Sequence, residues 1–110
     1  MREKVVCVCS AGLNRSAALA RVLRNNCGVS AIAVGIDHDE GNLEPLFEWA
    51  DRIILLHEDW VSQGRVPEKF KDKVILWHIG LDIWGSPLNE DLVALLTEKI
   101  KTTGLFQYHD

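Results

Sequence analysis

No stretch of this 110-residue chain approaches the ~20 consecutive apolar residues that a helix needs to span a bilayer. It has no basic excess either. Twelve lysines and arginines stand against 16 aspartates and glutamates, a net charge of -4 with a pI of about 5.5. General affinity for nucleic acid or for an anionic membrane is therefore excluded, and any anion must be bound at a focused local site. Cysteine is scarce. Cys7, Cys9 and Cys27 are an odd number with no C-x-x-C pair, which excludes a disulfide scaffold and points to free thiols in a reducing cytoplasm. The C-x-C of Cys7 and Cys9 has no histidine or further cysteine at matching spacing, so no metal site is expected there. Repeats, low-complexity tracts and Pro/Gly/Ser linkers are all missing, and the length suits a single domain over residues 1–110. The basic start followed by VVCVCSAGL resembles a secretion signal only faintly. Its apolar part is short, no small-residue cleavage site closes it, and Arg15 puts a charge soon after it.

Hydrophobic residues make up 47% of the chain, enough for a folded core. They fall into short β-branched runs that alternate with helical spacing. KVVCVC (residues 4–9) reads as a strand buried on both faces. From Arg15 onward, Leu19, Val22 and Leu23 take up i, i+3, i+4 spacing, and Gly28 stands where a helix stops. Further strands are expected at residues 29–36, 52–57 and 73–79. A short helix is expected at 43–50 with Pro45 in its first turn, and a last helix at 90–100 capped by Asn89. A short helix around Trp60, followed by a loop, is the reading of residues 58–71. The alternation predicts an α/β fold: an open, doubly wound parallel sheet of about four strands with helices on both faces. In that architecture ligands sit beyond the carboxyl ends of the strands, which gathers residues 10–15, 37–42, 57–60 and 80–87 on one edge.

The first of those segments carries chemistry. CSAGLNRS (residues 9–16) joins a strand to a helix through a tight loop. Successive backbone N–H groups and the positive end of the helix make such a turn an anion site, and Ser10, Ala11 and Gly12 are small enough to let the anion close on the backbone. The phosphate-binding set is expected to be Ser10, Ala11, Gly12, Leu13, Asn14, Arg15 and Ser16. Within it, Arg15 offers a planar fork to two oxygens. A helix N-terminus and a cationic neighbour favour thiolate over thiol, so Cys9 is expected to be largely ionised at neutral pH and poised to attack phosphorus. The Ser16 hydroxyl would donate to that thiolate.

C-x5-R-S directly after the first strand resembles the phosphate-binding loop of the low-molecular-weight protein tyrosine phosphatases. GIDHD, LFEWADRIILL and LDI followed by NEDLVALL resemble a small predicted-phosphatase family on the same fold, found in bacteria and phages, so the resemblance covers most of the chain. It implies a hydrolase that needs neither metal nor cofactor, with Cys9 as nucleophile and Arg15 as phosphate ligand. Its partners would be a phosphorylated protein or small aryl phosphate, and inorganic phosphate or another oxyanion in the loop. Nucleic acid and membrane are not expected as partners, and a cytoplasmic location is.

The resemblance also implies a general acid on the loop after the last strand. There the family pattern carries two further acids, but this chain has LDIWGSP, with Gly85 and Ser86 in their places. Three readings compete. Asp82 takes the role, or another carboxylate of that edge does (Asp37, Asp39 or Asp59), or none does and turnover is slow. Trp60 and Trp84 are candidate apolar walls for a phenyl ring, and Cys7, Trp49 and Trp77 are read as core. His38, His57 and His78 are read as structural or solvated. Beside the phosphatase stand two alternatives. One is a degenerate phosphatase that only binds phosphate. The other is a phosphocysteine carrier, whose loops have Ser or Thr where this chain has Arg15.

Overall fold

Valine alternating with cysteine is stiff at χ1 and apolar in both directions. In the computed structural model, which describes residues 2–10, 14–36, 43–79 and 84–109, that run forms the central strand β1 (Lys4–Cys9). Next in the chain come α1 (Asn14–Asn26), β2 (Ser30–Gly35), α2 (Glu44–Trp49) and β3 (Arg52–Leu55). A short 3-10 helix (Glu68–Lys73), β4 (Val74–Leu76) and α3 (Glu90–Thr103) complete the order. The sheet runs β2-β1-β3-β4. All three pairings are parallel, with Cys7 opposite Ala33 on one side and Ile54 on the other.

Side chains of a strand alternate between faces, and here the alternation sorts the core into two halves. Val5, Cys7, Cys9, Ala31 and Ile54 pack with Leu19 and Leu23 of α1 and with Leu92, Leu96 and Ile100 of α3. Val6, Val8, Val34, Ile53 and Leu55 pack with Phe47 of α2, Phe70 of the 3-10 helix and Trp60. The two phenyl rings meet edge to face, with centroids 5.8 Å apart. Val5 to Val8 have no exposed surface at all. At about 1.5–3 kcal/mol per buried valine, burial holds β1 more firmly than any polar contact it makes.

The element bounds differ from the sequence reading in ways that tertiary contacts explain. β4 is an edge strand of three residues. Beyond it Trp77 donates to the Leu55 carbonyl (2.8 Å), but the regular ladder does not continue to Ile79. Instead of a helix around Trp60, the Trp60 carbonyl accepts from both Arg65 (2.9 Å) and Val66 (3.0 Å), which closes a tight loop. The helical turn comes later, after Pro67. The last helix runs on to Thr103 and ends at Gly104, whose φ of 66° is the left-handed conformation glycine adopts without a Cβ penalty. Among the described residues no helix is long and apolar enough to cross a membrane.

This topology positions the site. β1 is flanked by β2 and β3, so the chain moves to one neighbour and then crosses to the other. α1 packs on one face of the sheet, and the segment after β3, with Trp60 and Val66, packs on the other. A doubly wound sheet binds its ligands at such a switch point, beyond the carboxyl end of the central strand.

Candidate active site

Cys9 is the last residue of β1, and its carbonyl accepts from the Ile36 N–H (2.8 Å), which holds the strand end in the sheet. By the alternation of the strand its side chain belongs to the α1 face. There Cys9 Sγ and Ser16 Oγ lie 3.0 Å apart, both buried. Asn14, Arg15 and Ser16 open α1, so the sulfur faces the helix end where backbone N–H groups lack intrahelical acceptors and the helix dipole is positive.

Arg15 is only 1% exposed. Taking a guanidinium out of water is costly unless acceptors replace the lost hydration. The Ser10 hydroxyl is among them, with Arg15 Nη2 donating to Ser10 Oγ at 2.7 Å. The structure thus brings Cys9, Ser10, Arg15 and Ser16 together at one turn. Ala11, Gly12, Leu13 and Asp82 lie outside the described residues, as do Asp37, His38 and Asp39.

The remaining candidates separate by environment. Cys7 shares the face of Cys9 but has no exposed surface, and burial pushes its thiol far up, with the Arg24 charge pulling more weakly the other way. Such a thiol stays protonated and inert. Burial also raises the Cys27 thiol, which packs against the α1-side core. Asp59 is fully exposed and occupied with a turn. It accepts from the Ser62 hydroxyl (2.7 Å) and the Ser62 N–H (3.2 Å). Those bonds hold its carboxyl below the ordinary aspartate range, with a smaller pull from His78, and a carboxylate kept ionised is a poor proton donor. His57 is half-buried, with Nε2 3.8 Å from a Glu58 carboxylate oxygen, and His78 is exposed.

Of the two tryptophans read as walls, Trp60 is corrected. It is 1% exposed and packs in the half of the core opposite Cys9, because its loop folds under the sheet. Trp84 is half-buried and packs against the same half of the core as Cys9. Its carbonyl accepts from Asn89 Nδ2 (2.9 Å), and its indole N–H is buried with no partner among the described residues. Trp77 is core as expected, whereas Trp49 is half-buried with the Lys4 ammonium 5.9 Å from its ring centroid.

Two contacts on this edge escaped the sequence reading. Arg65 Nη2 donates to the Ile36 carbonyl (3.0 Å) and so ties the segment after β3 to the end of β2. The Ser10 side chain, read only as small, is an acceptor for Arg15. Neither has a sequence signal, since both depend on where separate segments meet.

No family model matches the sequence, and no curated protein matches it. Among solved structures, the YwlE arginine phosphatase from Geobacillus stearothermophilus aligns with a TM-score of 0.63 at 20% sequence identity, covering 94% of this chain and 96% of that one. The chain has the low-molecular-weight phosphatase-like α/β fold that the sequence implies.

Proposed function

We propose that the protein is a cysteine-dependent phosphatase that hydrolyses phosphotyrosine or other aryl phosphate monoesters, needs no metal, and works in the cytoplasm, where Cys9 stays reduced. The observation that carries this reading is the cluster at the head of α1: a cysteine at the end of β1, 3.0 Å from the Ser16 hydroxyl, beside a buried arginine. The fold shared with a phosphatase supports it.

In the first step the Cys9 thiolate attacks phosphorus and the bond from phosphorus to the aryl oxygen breaks. Asp82 gives its proton to the departing oxygen. Arg15 and the main-chain N–H groups of Ser10, Ala11, Gly12, Leu13, Asn14 and Ser16 hold the phosphoryl oxygens, whose charge grows as the transition state forms. In the second step water loses a proton to the Asp82 carboxylate and attacks the cysteinyl phosphate. The sulfur–phosphorus bond breaks, and the Ser16 hydroxyl stabilises the returning thiolate by donating to it. Inorganic phosphate leaves.

A steady-state assay with p-nitrophenyl phosphate, vanadate as inhibitor and the Cys9→Ser variant tests the reading. Wild-type protein should hydrolyse the ester, and the variant should fall to background while still binding phosphate or vanadate. Full activity in Cys9→Ser would remove the nucleophile. Phosphate binding without turnover in the wild type would establish the degenerate module, and a long-lived phosphocysteine without hydrolysis would establish the carrier. Running phosphotyrosine beside phosphoarginine, the substrate class named for the YwlE structure, decides the leaving group.

A further inference from the structure

We infer that Ser10 is a positioning residue, whose hydroxyl holds the Arg15 guanidinium ready for the phosphoryl group before that group arrives. The inference rests on the phosphatase reading and adds a residue to it.

Three observations carry it. The Arg15 Nη2 to Ser10 Oγ distance is 2.7 Å, at the short end of the range for a charge-assisted bond. Ser10 directly follows Cys9 at the end of β1, and Arg15 lies in the first turn of α1. The bond therefore spans the loop and fixes where the guanidinium sits relative to the sulfur. Finally, Arg15 is 1% exposed, so water does little to hold its head group in place.

The chemistry of the acceptor matters as much as its position. A guanidinium has five N–H donors, and the Ser10 hydroxyl accepts from one of them. A carboxylate at residue 10 would orient Arg15 equally well but would neutralise the charge that draws the anion in. A neutral hydroxyl orients the fork and leaves its charge intact. Preorganisation of this kind appears in binding, because the cost of ordering the side chain is met before the ligand enters.

The test measures kcat and KM for p-nitrophenyl phosphate, and Ki for vanadate, in Ser10→Ala and Ser10→Thr. Ser10→Ala should raise KM and the vanadate Ki by roughly 5–20-fold, the scale of a lost charge-assisted bond that is partly replaced by other acceptors. Ser10→Thr keeps the oxygen and should restore most of the loss. Wild-type KM and Ki in Ser10→Ala would overturn the inference. So would tighter vanadate binding in that variant, or a Ser10→Thr as impaired as Ser10→Ala, which would show that side-chain size and not the oxygen matters. If Ser10→Ala fails to fold, Ser10→Gly removes the same oxygen and is read in the same way. A wild-type protein that neither turns over nor binds vanadate would instead sink the phosphatase reading itself.

Discussion

Cys7 and Cys9 are two residues apart on the same strand and face the same half of the core, yet their surroundings differ. Cys7 is sealed among valines, leucines and isoleucines, so its charged form is heavily penalised. Cys9 sits at the strand's end, against the head of α1, where a hydroxyl stands 3.0 Å away. The same logic sorts the acids. Asp59 spends both oxygens on Ser62 and is held ionised, which takes it out of the set of candidate acids; the proposed proton donor is Asp82. General acid catalysis contributes typically ~10²–10⁴-fold, and most where the leaving group is poorest. Asp82→Asn should therefore cost an alkyl phosphate about 10²-fold or more in kcat/KM, which reports the step that expels the leaving group, and p-nitrophenyl phosphate much less, because nitrophenolate leaves unaided. Steady-state rates on the two esters check this, and wild-type rates on both would take Asp82 out of the mechanism.

At the level of elements, the turn before α3 does two things with one side chain. Asn89 Oδ1 accepts from the N–H groups of Asp91 (2.9 Å) and Leu92 (3.1 Å), while its Nδ2 donates to the Trp84 carbonyl. Asn89→Ala removes the cap and frees the loop that precedes it. Loss of an N-cap costs about 0.5–2 kcal/mol, and this one carries an extra bond, so a fall near the upper end is expected in urea unfolding monitored by circular dichroism. An unchanged midpoint would show that water replaces the cap at no cost. This helix start was legible from the sequence, as were β1 and α1, because each is decided by residues adjacent in the chain. The features that were not legible depended on distant partners. The Trp60 loop closes through bonds from Arg65 and Val66, β4 is cut short by its place at the sheet edge, and the Ser10–Arg15 contact needs the loop already folded. Periodicity reports which face of an element is apolar, and it is silent on which face of the sheet that element will cover. For that reason the sequence offers Trp60 as a wall, whereas the fold buries it in the core.

At the scale of the molecule, the described residues form one sheet with a separate core on each face, and Cys7 belongs to the α1/α3 side. That placement has a consequence for stability at alkaline pH. A free cysteine thiol titrates near 9, and burial raises Cys7 well above this in the folded state. Below about pH 9 the thiol is protonated in folded and unfolded chains alike, and its contribution to stability is fully present. Above that, the unfolded chain releases the proton while the folded chain retains it. The unfolded state then binds fewer protons, and stability falls as pH rises, by up to about 1.4 kcal/mol per pH unit from this one group. Cys27, also raised by burial, acts in the same direction. Exposed Lys69, whose bond to Glu44 keeps it protonated to higher pH, does so too. The Cys7 share is isolated by difference. Cys7→Val retains an apolar residue in a valine-rich strand, and its unfolding free energy between pH 8 and about pH 10.5 should decline less steeply than that of the wild type. Urea unfolding curves across that range measure both slopes. Parallel curves would mean that the folded chain lets the Cys7 thiol ionise in place, which a side chain with no exposed surface beneath α1 and α3 should not permit.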